Sequence, residues 1–397
     1  MGAKALAGVK VLEYCHGISA PYCTKLMADL GAEVVHVEAP GRGDDTRRSP
    51  PFVGDAPHPE KSGLFLFLNT NKLGITLDPR SPGGREIFRR LATTVDVVVE
   101  DWSPGHMEAL GLGYEDLRAL HPGLVMASIT PFGRSGPYSG YKAYGLNVSH
   151  VSGQAYMLPL PSPHLERAPV RTGGHCTDYD SGQTAAVAIL AAVFAQRISG
   201  RGQLIEVSQQ DVVASLQRVE NVVFANDGEV LTRKGPEGER SITQMFQCKD
   251  GYVVCVTPLD HQKQALARLA DGDAPTRQSG DGGAEVARER VAAWMRQRTT
   301  AEVCAQAQAL SCPMSAISAP DEVGRSKQLR ARQFFDDVAH PVAGTVTLPA
   351  RPCHFGKTPF ALERAAPLLG EHNDLIYRER LGYGSDELRR LREAGAL

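Results

Sequence analysis

Between Cys176 and Gln183 the chain reads C-T-D-Y-D-S-G-Q and runs directly into the apolar stretch TAAVAILAAVFA, Thr184 to Ala195. A carboxylate at the mouth of such a helix meets unpaired backbone amides and the positive end of the dipole, which favours its ionised form. Held ionised and partly desolvated, it becomes a nucleophile for acyl transfer. The same residues have a plainer use, because Asp and Ser are the ordinary N-terminal caps of helices. On residue chemistry alone, Asp178 could be nucleophile or cap, with Asp180 and Ser181 as rival caps.

A second chemical candidate is the loop after the first predicted strand, C-H-G-I-S-A-P from Cys15 to Pro21. A dinucleotide site needs G-x-G-x-x-G there, so that backbone can approach a diphosphate at the helix N-terminus. One glycine stands in this loop, although Glu38 ends the next strand where a ribose-binding acid would sit, so a nicotinamide enzyme is an alternative reading. Eight cysteines occur singly, with no CxxC pair and no finger-like Cys and His spacing, so we expect reduced thiols and no structural zinc.

The elements that would position these groups alternate. Val9 to Tyr14 and Glu33 to Val37 read as strands around a helix over Pro21 to Leu30, stopped by Gly31. A helix over Gly84 to Leu91, a strand over Val95 to Glu100, a helix near Tyr114 to Leu120 and a strand over Leu124 to Thr130 continue the series. Such alternation predicts an α/β fold with a parallel, doubly wound, Rossmann-like sheet covered by helices on both faces. The stretch Thr184 to Ala195 is apolar on nearly every face and is expected as a buried helix, followed by the strand LIEVS, Leu204 to Ser208. Beyond it, MFQC, a Lys249-Asp250-Gly251 turn and YVVCV predict a hairpin opening a smaller α+β domain. Asp271 to Ala284, rich in Gly and Asp, is expected as a surface loop. A long proline-punctuated return leads to a helical tail. The expected boundaries are a large domain over 1–208, a helical linker over 209–229, a small domain over 230–329, and a return to the large domain over 330–397.

Composition narrows the partners. The 397 residues suit two domains, and 42% hydrophobic content can fill both cores. Lys and Arg total 43 against 45 acidic residues, a formal charge of -2, with no long run of one sign. We therefore expect no nucleic-acid and no membrane partner, but a small ligand. No cationic segment followed by an apolar run opens the chain and no stretch of ~20 apolar residues occurs, so a cytoplasmic location is expected.

Several motifs in fixed order resemble those of the class III CoA-transferases, the CaiB/BaiF family, which includes formyl-CoA transferase and related α-methylacyl-CoA racemases. They are LAGVKVLEY, MADLGAEVVHVEAPGRGDDTR, FLNTNKLGITLD, VVVEDWSPG, LGLGYEDLRALHPGLVMASITPFGRSGPY, SGRGQLIEVS and APLLGEHN. The resemblance is weaker between about 230 and 330. It implies a large domain built from both chain ends, a small domain between them, and two chains interlocked as a dimer; a heteromer with a related subunit is the alternative assembly.

For function, the resemblance implies transfer of CoA from an acyl-CoA to a carboxylic acid, with a CoA thioester as substrate and no permanently bound cofactor or metal. It singles out Asp178, four residues before Gly182, as the nucleophile, and Tyr144 where a racemase would carry a proton-transferring His. His150, several residues further on, is expected to be an ordinary loop or helix residue. As CoA-binding candidates it implies His16, Gly17 and Ile18 after the first strand, Arg47 in GDDTR, Asn71 and Lys72 in NTNK, Asp101 and Trp102 in EDW, and Lys142. This sequence departs from the pattern at Ile18, where formyl-CoA transferase has a useful glutamine, at Gly145, where it has an acid, and at EDW in place of E-N-F. Ile18 argues against formate or oxalate and toward a larger, partly apolar acid. A CoA-thioester racemase and a non-catalytic subunit are the remaining alternatives.

Overall fold

The structure, a computed structural model, describes residues 4–159, 164–233, 243–271 and 283–397. The chain forms two compact units: Met1–Arg233 with Arg332–Leu397, and Lys234–Ala331. The first contains the strands β1 (Lys10–Tyr14), β2 (Glu33–Glu38), β3 (Leu73–Thr76), β4 (Val97–Glu100), β5 (Val125–Thr130) and β6 (Leu204–Ser208). They form one sheet in the order β3-β2-β1-β4-β5-β6. Every pair in it is parallel.

The helices of this unit are α1 (Ser19–Asp29), α2 (Gly63–Leu68), α3 (Pro82–Ala92), α4 (His106–Ala109), α5 (Tyr114–Leu120), α6 (Gly145–Val151), α7 (Cys176–Ser199), α8 (Gln209–Leu216) and α9 (Arg218–Asp227). Alternate strand residues face opposite sides. Val11, Val97, Val99, Ala127 and Ile129 pack with Ala20, Cys23, Ala185 and Ile189 of α1 and α7. Leu12, Val98 and Met126 pack instead with Ile87, Phe88, Leu117, Ile376, Tyr377 and Leu388. The central strands are thus buried on both faces, as parallel strands are, and the C-terminal residues close the second face. The fold is the doubly wound α/β architecture, with chain order reversing between β1 and β4.

In the second unit β7 (Thr243–Gln247) and β8 (Tyr252–Val256) pair antiparallel, with β9 (Met314–Ala316) beside β8. The unit also holds α10 (Asp260–Asp271), α11 (Gly283–Arg296), α12 (Thr300–Ala309), α13 (Pro320–Gly324) and α14 (Lys327–Ala331). Its own core gathers Phe246, Val253, Cys255, Leu269, Val291, Met295 and Val303. Back in the first unit, β10 (Phe335–His340) and β11 (Gly344–Pro349) form a hairpin, and α15 (Ser385–Glu393) ends the chain.

Three expectations change, and a fourth falls mostly outside the described residues. Residues 209–229 are not a linker but α8 and α9 of the first unit. The proline-punctuated return after 330 contains a hairpin, β10 and β11, for which the sequence carries no expectation. The loop expected over Asp271 to Ala284 lies mostly outside the described residues. Finally, α7 is not buried all round: Ala185 and Ile189 face the sheet, whereas Val187, Phe194 and Ile198 are 65%, 70% and 74% exposed in the single chain. Its apolar composition reflects two apolar faces, of which the sheet covers one.

Candidate active site

Loops beyond the carboxyl ends of β1, β4, β5 and β6 enclose a cavity of about 320 Å³, where doubly wound sheets bind ligands. Gly17, at a left-handed φ of 76°, turns the chain out of β1 and presents His16, Ile18 and Ser19 to the cavity. The β4 end contributes Asp101, the β5 end Ile129 and Pro131, and the β6 end Gln209, the first residue of α8. Tyr144 and Gly145 at the start of α6, and Arg171 to Asp178 leading into α7, complete the wall.

Asp178 sits in the first turn of α7, with little of its side chain exposed. Its Oδ1 accepts from Ser19 Oγ at 3.3 Å and from Gln209 Nε2 at 3.4 Å. Gln209 Nε2 also donates to Ser19 Oγ at 2.6 Å, and both side chains are almost wholly buried. Oδ2 lies 3.5 Å from His175 Nδ1. On the other side the carboxylate rests against Gly145, where a Cβ would stand 2.8 Å from Oδ2. Glycine at 145 thus leaves the space beside Oδ2 that a side chain would take up in this arrangement. Gly182 sets the depth: a Cβ there would lie 2.3 Å from the Ser19 carbonyl oxygen, so glycine lets α7 cross α1 closely enough for Asp178 to meet Ser19.

The expected dipole-stabilised carboxylate is corrected in sign. Burial lifts the Asp178 carboxyl above its ordinary value, against the partial offset from His175, Ser19 and Gln209. The result is a poorly solvated carboxylate flanked by donors, a combination that raises nucleophilicity once the group ionises.

The implied CoA-binding residues separate into two groups. His16 Nδ1 and Asp101 Oδ1 are 2.7 Å apart, and this carboxylate raises the imidazole to about 9, so His16 is a cation at neutral pH. Its ring stacks on Trp102 at 4.8 Å, and Trp102 stacks on His106 at 4.5 Å while donating to the Tyr14 carbonyl. His16, Gly17, Ile18 and Asp101 line the cavity, with Trp102 just behind. Tyr144 lines it too and is 85% exposed, whereas the exposed Lys142 stands beside it, outside the lining.

Arg47, Lys72 and Asn71 behave differently from expectation. Arg47 is fully buried, pairs with Glu38 at 2.6 Å and Glu60 at 2.6 Å, and lies over the Phe65 ring. Lys72, also buried, bonds the Pro21 carbonyl and Glu13, each at 2.9 Å. Asn71 ties Asp29 to the returning chain, donating to the Ala361 carbonyl and accepting from the amides of Glu363 and Arg364. All three hold the fold together and none lines the cavity. Glu38, engaged by Arg47, is likewise withdrawn from the ribose role considered for it. His150 bonds the Leu146 carbonyl of its own helix and does not face the cavity.

The three side chains that contact the Asp178 carboxylate, Ser19, His175 and Gln209, escaped the sequence reading. Ser19 and Gln209 each follow within a few residues the carboxyl end of a strand, which is the one signal that could have drawn attention to them. Among the described residues no group of three His, Cys, Asp or Glu side chains is placed to hold a metal, and no helix is long and apolar enough to cross a membrane.

Fold and site together define a doubly wound α/β protein with a buried, donor-flanked carboxylate at the end of its sheet. The family model for CoA-transferase family III matches residues 6–373, and the chain belongs to that family. A formyl-CoA:oxalate CoA-transferase of Rhodopseudomonas palustris (strain TIE-1) is 31% identical, over 99% of this chain and 97% of its own length. The succinyl-CoA:(R)-benzylsuccinate CoA-transferase subunit BbsE of Thauera aromatica is also 31% identical, over 95% of this chain and 94% of its own. Among solved structures, a CaiB/BaiF family protein from Brucella suis superposes with a TM-score of 0.82 at 27% identity, covering 96% of this chain and 100% of that one. Rv3272 from Mycobacterium tuberculosis gives 0.78 at 26% identity, covering 94% and 99%. The chain is a family III CoA-transferase.

Proposed function

We propose that the enzyme moves CoA from an acyl-CoA such as succinyl-CoA to a carboxylic acid through covalent intermediates on Asp178. An Asp178 carboxylate oxygen attacks the donor's thioester carbon, the C–S bond breaks, and a mixed anhydride and CoA thiolate result. The thiolate then attacks Asp178 Cγ, expelling the donor acid and forming an aspartyl-CoA thioester. The acceptor carboxylate attacks the same carbon, releasing CoA thiolate, which finally takes the acceptor's acyl group and frees Asp178. One thioester is consumed and one formed, so no cofactor is needed.

The observation that carries this reading is the placement of Asp178: a carboxylate inside a cavity, with two donors on Oδ1, and with Gly145 and His175 beside Oδ2. Around it the cationic His16, with Trp102 behind it, supplies a surface suited to the anionic and aromatic parts of CoA. Gly17 and Ile18 contribute close backbone approach, Asp101 orients His16, and Lys142 supplies a charge at the rim. Tyr144 offers its phenol to the acyl group. Ile18, Ile129, Pro131 and Leu146 make much of the wall apolar, which favours a larger, partly apolar acceptor over formate or oxalate.

The uncovered face of α7, with Val187, Phe194 and Ile198, supports assembly with a second chain, either another copy or a related subunit, as the word "subunit" in the name of the Thauera relative suggests. Phe194→Glu should lower the sedimentation coefficient if that face is covered in solution. The functional test is CoA transfer from succinyl-CoA to a panel of acids. Turnover by the wild type and none by Asp178→Ala supports the reading; equal turnover by both, or exchange of the α-hydrogen with deuterated water in place of transfer, refutes it.

A further inference from the structure

Resting on the covalent mechanism above, we propose that Ser19 and Gln209 are the oxyanion donors for the two steps that occur at Asp178 Cγ, which assigns the nucleophilic role to Oδ2. The geometry distinguishes the two carboxylate oxygens. Oδ1 takes the Ser19 hydroxyl at 3.3 Å and the Gln209 amide at 3.4 Å from two buried side chains, while Oδ2 faces Gly145 and has only the half-exposed His175, 3.5 Å away, as a polar neighbour.

Gln209 can present only its NH₂ end here, since its carbonyl would oppose a carboxylate. That end has two hydrogens, one for Ser19 Oγ at 2.6 Å and one for Oδ1, leaving the Ser19 hydroxyl hydrogen to point at Oδ1 as well. The two donors therefore converge on one atom, and burial of both removes the solvent that would compete for it. Ser19 is fixed by the first turn of α1 and Gln209 by the first turn of α8, whose N-cap Ser208 accepts from Asp211.

The bond changes use this asymmetry. When Oδ2 attacks the donor, Oδ1 remains the carbonyl oxygen of the anhydride. CoA thiolate adds to Cγ, negative charge develops on Oδ1, the Cγ–Oδ2 bond breaks, and Oδ2 leaves with the donor acid. The acceptor's oxygen then adds to Cγ, charge returns to Oδ1, and the Cγ–S bond breaks. In both steps the electron pair gathers on the oxygen that Ser19 and Gln209 face, and their bonds to it shorten as it does so. Formation of the first anhydride places its oxyanion on the donor's carbonyl oxygen instead, not on the Oδ1 that these two side chains face.

That difference supplies the test. Ser19→Ala and Gln209→Met should each lower kcat by about 10²-fold with KM for the acyl-CoA little changed. Quenched early in turnover, wild-type protein should carry mainly CoA on the Asp178 peptide, whereas both variants should shift toward the donor acyl group, read by mass or by separate labels on succinate and CoA. A merely structural role would lower both adducts together, and that outcome, or kcat within twofold of wild type, overturns the proposal. If wild type carries neither adduct while transferring CoA, the covalent reading fails first and this assignment with it. Labelled wild type with unaltered variants overturns this assignment alone.

Discussion

Replacing Gly182 with alanine inserts one methyl group at the crossing of α1 and α7, and its effect can be worked from the distances. The new Cβ would stand 2.3 Å from the Ser19 carbonyl oxygen, with Tyr22 Cδ1 at 3.2 Å and the Cys23 amide at 3.3 Å behind it. Ordinary contact begins near 3.4 Å, and the first of these partners is helix backbone, so the helices must separate by about 1 Å. Asp178 lies one turn before Gly182, and its 3.3 Å bond to Ser19 would stretch to about 4 Å, beyond hydrogen-bond range. Overpacking of this kind costs about 1–3 kcal/mol, and a misplacement of about 1 Å at a reacting group costs about 10²-fold in rate. The sign is informative, because alanine in an exposed helix interior would instead stabilise by about 1 kcal/mol. Thermal unfolding and transfer assays on Gly182→Ala should show a melting point lowered by several degrees and kcat reduced about 10²-fold. A variant that melts higher than wild type and turns over normally would refute the claim that this glycine sets the depth of Asp178.

Other consequences follow from charge and burial. Burial raises the Asp178 carboxyl, so the native state holds its proton longer than the unfolded chain and stability falls as pH rises through the window above 3.8. Asp178→Asn should therefore be inactive yet melt higher than wild type at neutral pH, with the difference shrinking toward acid in a pH series of melts. His16 shifts stability in the same direction over a higher window: raised to about 9 by Asp101, it contributes stability in full below 6.5 that is lost as pH passes about 9. Melts of Asp101→Asn should show the deficit largest below 6.5 and fading near 9. Arg47→Met should cost about 3–5 kcal/mol in denaturant titrations by leaving Glu38 and Glu60 unpaired in the interior. Equilibrium CoA binding by the folded fraction should be unchanged; weakened binding would return Arg47 to the ligand site.

What could be read from the sequence follows from how local the determining physics is. β1, α1 and β2 were legible because their apolar periods and Gly31 lie within a few residues of one another, and the helix expected near Tyr114 to Leu120 forms there. β3 was not, since Leu73–Thr76 is four residues including a glycine. Nor was the hairpin of β10 and β11, where Asp336 and Asp337 interrupt the apolar alternation of the first strand.

Burial of charge was the main source of error. Arg47 and Lys72 have the composition of phosphate partners, and only the fold reveals that Glu38, Glu60 and Glu13 surround them. The donors to Asp178 were illegible for another reason: Ser19 and Gln209 come from opposite sides of the sheet's centre, 190 residues apart, and neither carries a motif. With Ile18 in the place where the family resemblance implies a glutamine, the amide nearest the carboxylate comes from Gln209 instead.

The account turns on Asp178 becoming acylated. The protein should be mixed with succinyl-CoA in the absence of acceptor, quenched, digested and examined by mass spectrometry after borohydride or hydroxylamine treatment. A reagent-sensitive adduct confined to the peptide carrying Asp178, and absent from Asp178→Ala, is the result expected. Transfer that proceeds with that peptide unmodified, or with the adduct on another residue, would contradict it.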